Sequence, residues 1–379
     1  VGTKQSIMEN LVKYDKLFGG IYKGKKVLIT GHTGFKGSWL SLWLHKMGAD
    51  VYGLALINED EPNHIELLKL PIHQKIGDIR DLALVESYFK EVQPEIIFHL
   101  AAQALVKKSY TDPVETVSTN VMGTLHIFEA ARKTPSVKAI VNVTSDKCYE
   151  NREWNWGYRE NEAMGGYDPY SVSKGMAELL TSSYRNSFFN ADKYKDTHQV
   201  LLASGRAGNV IGGGDWAADR LIPDIIRATS VNKTVQIRSP KATRPWQHVL
   251  EPLSGYLMLG WNLLEQKKEY AEGWNFGPDL NSNLPVDEII TLSKKYWSNI
   301  KIEYSKDPND LHEAHLLMLD CSKANKLMKW KAVWGIEQTL SKTIGWYKNY
   351  YQNKVIQSEI DLSDFVNDAA KANYLWASH

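Results

Sequence analysis

The chain has 379 residues, 43% of them apolar, which is enough to bury a large core and long enough for one big domain or two lobes. Its 45 basic and 44 acidic residues leave a formal charge of +1, so there is no broad field with which to grip a nucleic acid or a membrane surface. Cys148 and Cys321 stand far apart with no CxxC pair, which argues against a disulfide framework or a thiolate metal site and fits the cytoplasm.

Val1 to Gly20 mixes charged and polar residues with isolated Leu and Met, unlike a signal peptide. No later run approaches the ~20 apolar residues of a membrane span. Short β-branched runs then alternate with amphipathic stretches, the pattern of a parallel sheet covered by helices. Strands are predicted at Lys26 to Thr30, Asp50 to Leu54, His73 to Ile76, Glu95 to Leu100, Ala139 to Thr144 and Gln199 to Ala203. Helical apolar spacing marks Ser38 to Met47 and Asp81 to Val92 between them. After Gly205 the rhythm changes, with a glycine cluster at Gly212, Gly213 and Gly214, and Leu250 to Leu264 then reads as a long buried helix. His312 and His315 are the only close histidine pair; with a spacing of three and no third ligand they read as a polar helix face, and no metal is expected.

Directly after the first strand comes Thr30-Gly-His-Thr-Gly-Phe-Lys-Gly37, then an apolar helix. Gly31 suits the tight turn, Gly34 lets the backbone approach a pyrophosphate, and Gly37 lets helix and strand pack closely, with helix N-terminal amides facing the phosphates. A doubly wound α/β fold of Rossmann type follows. The dinucleotide-binding domain is predicted over 21–205, with 247–270 returning to it. A smaller mixed α/β lobe takes 206–246 and 271–350, and 1–20 and 351–379 are terminal extensions. The acid expected about twenty residues beyond Gly31, on the ribose hydroxyls, is missing: Val51 to Leu56 carries none and the first is Glu59. The reading favours NAD but leaves NADP open, with Lys36 available to a 2′-phosphate. Asp78, after the third strand, is read either as holding the adenine amino group or as a helix N-cap.

Tyr170 and Lys174 are four apart at the start of a helix, so phenol and ammonium share one face. A cation there favours phenolate and lowers a pKa that is ~10 unperturbed, making Tyr170 a general base for oxidising an alcohol. The pair lies downstream of a strand ending in Thr144-Ser-Asp-Lys147, at the carboxyl edge of the sheet where such folds bind ligands.

This order of TGxxGxxG, His99-Leu-Ala-Ala102, a strand ending in a hydroxyl residue and YxxxK resembles the extended short-chain dehydrogenase/reductases. Longer motifs are similar to the branch of nucleotide-sugar 4,6-dehydratases that acts on CDP-glucose. They are Gly31 to Leu40, Thr144 to Tyr149, Asn151 to Tyr158, Arg206 to Trp216, Thr243 to His248 and Trp274 to Pro278. The resemblance implies a cofactor site of Gly31, Thr33, Gly34, Phe35, Lys36, Gly37, Asp78, Ile79, Leu100, Ala101, Ala102 and Thr144, with Tyr170 and Lys174. It places Gln103, Asn209, Arg220, Gln236, Ile237 and Arg244 against the sugar nucleotide.

The same resemblance implies a redox cycle that restores its cofactor. Tyr170 takes the 4-hydroxyl proton as hydride leaves C4, Lys174 holds the ribose, and Ser145 hydrogen-bonds the same hydroxyl. Asp146 gives a proton to the departing 6-hydroxyl and Lys147, where the dTDP-glucose branch has glutamate, takes the proton from C5; hydride then returns to C6. Trp154, Trp156 and Tyr158 are read either as a loop closing over the sugar or as buried between lobes. A sugar-nucleotide 4-epimerase shares the glycines and the Tyr170–Lys174 pair but has no use for Asp146 and Lys147. A dinucleotide-sensing protein without catalysis is the other alternative. The expected partner is a nucleotide sugar, in a cytoplasmic homodimer or homotetramer serving deoxysugar synthesis for a surface lipopolysaccharide, with no nucleic acid and no membrane.

Overall fold

The computed structural model describes residues 12–304 and 316–378. Its centre is a seven-stranded parallel sheet built from β1 (Lys26–Thr30), β2 (Asp50–Ala55), β3 (His73–Ile76), β4 (Ile96–His99), β5 (Ala139–Val143), β6 (Leu201–Ala207) and β11 (Gly273–Phe276), in the order β11-β6-β5-β4-β1-β2-β3. Side chains alternate along each strand: Val27 and Ile29 enter the core on one face, Leu28 the core on the other. A sheet covered on both faces needs mostly apolar residues, and β1, β4, β5 and the first half of β6 (Leu201, Leu202, Ala203) supply them.

One face is covered by α1 (Phe35–Lys46) and α9 (Leu250–Leu264), the other by α3 (Leu82–Val92), α6 (Gly123–Arg132) and α7 (Pro169–Ser187). The short helices α2 (His64–Leu68), α4 (Val106–Thr111) and α5 (Pro113–Val117) lie in the loops between. Helix starts follow local chemistry. Asp81 accepts from Leu84 N at 3.1 Å to cap α3, and Asp168 accepts from Ser171 N at 2.9 Å to cap α7, where Pro169 opens the first turn. The chain leaves β1 towards β2 and β3, then crosses to β4 on the opposite side, so a crevice opens at the carboxyl ends of β1 and β4.

The second lobe has its own core. It comprises β7 (Val210–Ile211), α8 (Leu221–Ser230), β8 (Thr234–Ile237), β9 (Thr243–Pro245), β10 (Gln247–His248), β12 (Asn283–Pro285), α10 (Val286–Tyr296), β13 (Lys301–Tyr304) and α11 (Ile336–Asn353). Parallel β8–β13 and antiparallel β9–β12 pairs frame it. Two boundaries differ from the sequence reading. Gly273–Phe276, assigned to the lobe, pairs with β6 as the outer strand of the main sheet. The described parts of the two terminal stretches are not appendages: Leu17 and Phe18, α12 (Ser358–Lys371) and Trp376 join the main core, because α1 is apolar on its outward face as well and Trp43 there needs cover. His312 and His315 lie outside the described residues.

Candidate active site

Gly31 leaves β1 with φ +77°, and a Cβ on it would stand 2.7 Å from Ala101 N at the end of β4. A Cβ on Gly37 would stand 2.1 Å from the Gly31 carbonyl oxygen, so only glycine lets α1 start this close to the strand. The first turn of α1 therefore opens into a cleft of 1260 Å³, lined also by Thr33, Phe35, Asp78, Ile79, Leu100, Ala101 and Ala102. Thr33 Oγ1 donates to the Leu56 carbonyl oxygen (2.9 Å) and Asn58 Nδ2 to that of Thr33 (3.1 Å), tying this turn to the end of β2.

Two expectations at this end change, those for Lys36 and Asp78. Lys36 points inward, beneath the catalytic cluster, 5.9 Å from the Tyr256 ring centroid and within the fields of Asp146, Lys174 and Arg220. Burial lowers its pKa to about 8, and it does not stand at the β2 end where a 2′-phosphate would need it. The carboxylate that lines the cleft after β2 is Asp60. Asp78 is not a helix cap: its carboxylate accepts from Arg80 N (2.8 Å), Nε (2.8 Å) and Nη2 (2.6 Å), which hold its pKa down, and α3 is capped by Asp81.

At the mouth of β5, Thr144, Ser145, Asp146 and Lys147 face Tyr170 and Lys174 of α7 across the cleft. Ser145 Oγ donates to Asp146 Oδ1 at 3.0 Å, accepts from Lys147 N at 3.2 Å and bonds the Tyr170 phenol. Burial raises the Asp146 pKa, against Lys147, the Ser145 bond, Lys36 and Arg244, which lower it. Lys147 is half-buried. The expected lowering of the phenol does not occur here. Burial pushes Tyr170 up to about 12, helped by the Asp146 charge, and burial likewise brings Lys174 down to about 8. At Tyr170 desolvation outweighs the Ser145 bond and the Arg220 charge, which lower it.

Asn209, Arg220, Gln236, Ile237 and Arg244 line the same cleft, with the Arg220 charge felt by Tyr170 and that of Arg244 by Asp146. Arg220 Nη1 lies 3.1 Å from Asp215 Oδ2, and Gln236 Nε2 donates to Glu303 Oε2 at 2.8 Å. Arg244 is buried and its Nη1 donates to the Thr243 carbonyl oxygen at 2.9 Å. Gln103 does not line the cleft. Its amide bonds Leu105 N (2.6 Å), the Leu105 carbonyl oxygen (3.0 Å) and Thr116 Oγ1 (2.8 Å), holding a loop rather than a ligand. The Trp154–Tyr158 aromatics are also outside it: Tyr158 is buried and stacked on Tyr149 at 5.4 Å, Trp154 stacks on Tyr158 at 5.7 Å, and Trp156 is 59% exposed.

The sequence model of the GDP-mannose 4,6-dehydratase family matches residues 28–343. A CDP-glucose 4,6-dehydratase of Salmonella typhimurium is 51% identical over 350 residues, 91% of this chain and 97% of the relative. The chain belongs to this nucleotide-sugar 4,6-dehydratase family. Among solved structures, the epimerase Mth375 of Methanothermobacter thermautotrophicus superposes with a TM-score of 0.73 at 24% identity, covering 87% of this chain and 94% of that one. A Bacillus anthracis dTDP-glucose 4,6-dehydratase in complex with NAD gives 0.70 at 22%, covering 87% and 98%. At such identities the likeness is one of fold.

In this dehydratase-family chain, sequence reasoning missed the residues behind the cluster. Glu178 and Arg206 form a buried ion pair at 2.7 Å, and Asn120 spans the Gln103 backbone and Ser173 Oγ (2.8 Å). A signal for Glu178 was present: it is four residues past Lys174, on the same helix face.

Proposed function

We propose that the chain dehydrates CDP-glucose to CDP-4-keto-6-deoxyglucose with NAD. The observation that carries the reading is Asp146: a buried carboxyl with a raised pKa, one residue from the Ser145 that bonds Tyr170. A carboxyl whose hold on its proton is strengthened by burial, beside an oxidising pair, serves elimination and is of no use to a 4-epimerase. The 51% identity to a CDP-glucose 4,6-dehydratase over 91% of the chain supports the cytidine substrate.

The glycine cradle fits a dinucleotide, since Gly31 and Gly37 leave no room for a Cβ and the start of α1 opens to the cleft. Gly31, Thr33, Gly34, Phe35 and Gly37 would hold the pyrophosphate, with Lys36 lending only its backbone, and Lys174 and Tyr170 would hold the nicotinamide ribose. NAD when bound supplies the oxidant for C4 and the reductant for C6 within one turnover. Ser145 and Tyr170 align the 4-hydroxyl, and Tyr170 takes its proton. That step is eased when Asp146 is protonated, because the anion that raises the phenol is then gone while Lys174 remains charged. Asp146 then gives its proton to the 6-hydroxyl as water leaves, and Lys147 on the same turn takes the C5 proton. Arg244 and Asn209 meet the substrate pyrophosphate, and Arg220, Gln236 and Ile237 stand at the nucleobase end.

We place the enzyme in the cytoplasm as a homodimer, the unit from which a tetramer would be built. Its cysteines are free, and no helix of the described residues is long and apolar enough to cross a membrane. The α7 residues Val172, Met176 and Leu179 are exposed at spacings of four and three beside Val114 and Met122, an apolar strip that a second copy would cover. The test is incubation with CDP-glucose deuterated at C4, followed by mass analysis. Loss of water with deuterium in the C6 methyl supports the reading, and deuterium retained at C4 of an intact hexose supports a 4-epimerase instead.

A further inference from the structure

One buried ion pair holds both ends of the catalytic turn. Thr144, just before Ser145, donates its hydroxyl to Glu178 Oε1 at 2.5 Å. Glu178 Oε2 accepts from Arg206 Nη2 (2.7 Å) and Ser204 Oγ (2.8 Å). Arg206 Nη1 then donates to the Tyr149 hydroxyl (2.7 Å) and the Glu160 carbonyl oxygen (3.0 Å), and Tyr149 donates to Asn275 Oδ1 at 2.7 Å. Thr144 and Tyr149 bracket Ser145, Asp146 and Lys147. The two charged side chains are 1% and 4% exposed. A Cβ on Gly273 would stand 2.5 Å from Arg206 Nη2, so β11 lacks a side chain there and leaves room for the guanidinium.

Burying a carboxylate and a guanidinium together brings little net stability, because desolvation cancels most of the attraction. What the arrangement does supply is geometry: it ties α7, which carries Tyr170 and Lys174, to both flanks of the turn that carries Ser145 and Asp146. We infer that Glu178 and Arg206 are positioning residues, which set the acid-bearing turn against the phenol and ammonium. The inference rests on the dehydratase reading above. It also has an electrostatic side. Lys174 is faced by Lys36 from α1, His99 from β4, Cys148 from the turn and Glu178 from its own helix. Burial holds the Cys148 thiol protonated and His99 neutral, so Glu178 is the one anion among these four.

Two kinds of variant separate geometry from charge. Thr144→Val keeps volume and charge but cuts the tie to Glu178, and Thr144→Ser restores it. With CDP-glucose and NAD, kcat for Thr144→Val is expected to fall roughly tenfold or more, with KM within about threefold of wild type, an unmoved alkaline limb and recovery in Thr144→Ser. Glu178→Gln removes the anion behind Lys174, so the alkaline limb of its oxidation half-reaction, read as single-turnover absorbance of the reduced cofactor, should move about one pH unit lower, a change that loss of folded protein alone does not produce. A wild type that turns over CDP-glucose alongside an equally fast Thr144→Val overturns this inference while leaving the function standing. So does a folded Glu178→Gln with an unmoved limb. If leaving Arg206 unpaired unfolds Glu178→Gln, the two Thr144 variants decide alone.

Discussion

Asp146 turns its Oδ2 so close to Gly208 that a Cβ on that glycine would stand 2.9 Å from it, with Pro245 Cγ equally near. The carboxyl thus has a floor, set by the chain just beyond β6. Gly208→Ala is expected to push the acid off its line to the 6-hydroxyl and slow elimination by roughly ten- to a hundredfold. In rapid-quench mass analysis the 4-ketone that still bears its 6-hydroxyl should then accumulate. Water loss at the wild-type rate would show that the position of Asp146 does not matter.

The two halves of the reaction should fail at different pH. Elimination needs the Asp146 proton, and oxidation needs a charged Lys174, whose pKa burial brings to about 8. Burial raises Asp146 while Lys147, the Ser145 bond, Lys36 and Arg244 pull it down, so the two limbs belong to different groups, and Asp146→Asn is expected to stall elimination while leaving the limb of oxidation in place. Single-turnover absorbance of the reduced cofactor reports the first half and mass analysis the second. Elimination at the wild-type rate in Asp146→Asn removes Asp146 as the donor.

His64 links α1 to the C-terminal helix, its ring nitrogens 2.7 Å from Ser38 Oγ and from Ser358 Oγ. Burial lowers its pKa to about 3. A folded pKa below the unfolded value of ~6.5 means that the unfolded chain binds the proton first. The contribution is complete above ~6.5 and drains as pH falls towards 3, at up to ~1.4 kcal/mol per pH unit. Wild type and His64→Gln share their other titrations, so the gap between their urea stabilities should shrink at that rate between pH 6 and 4. A constant gap would mean that His64 is not held neutral.

The sheet was legible because its covered strands are short, largely apolar runs set between amphipathic stretches, and the cofactor turn because its glycines sit between a strand and a helix. Orientation was not legible. Gln103 has the chemistry of a ligand contact, yet its amide closes a loop on Leu105 and Thr116. Lys36 follows a phosphate-binding turn, yet the phase of α1 sends it inward to Asp146. The four residues Gly273–Phe276 carry no periodicity long enough to separate a seventh strand from a lobe segment. The Tyr170 pKa depends on how far burial outweighs a nearby charge, which spacing along a helix does not reveal.

Trp376 stacks on Phe18 at 5.2 Å and on Phe365 at 5.9 Å, edge-on to Trp43, and seals the back of α1. It lies outside the catalytic cleft. Trp376→Ala should cost about 3–5 kcal/mol of stability in urea unfolding, while kcat at a temperature where the variant is folded stays at the wild-type value. A large fall in kcat without a fall in stability would mean that the chain end reaches the chemistry by a route other than packing.

The apolar strip on α7 makes the last prediction. Leu179, 59% exposed, stands one turn beyond Met176 and two beyond Val172, on the helix face turned away from the one that carries Lys174 and buried Glu178. A monomer would leave that strip in water, at a cost of roughly 25 cal/mol for each Å² of apolar surface. A glutamate at its centre would face its own copy across a two-fold axis, because a symmetric interface presents each residue twice. Leu179→Glu should therefore halve the mass measured by light scattering while leaving the fold intact by circular dichroism. The cleft is built within one chain, so the resulting monomer should still bind NAD. A variant that keeps the wild-type mass, or a wild type that is already monomeric, would move the pairing surface elsewhere or abolish it.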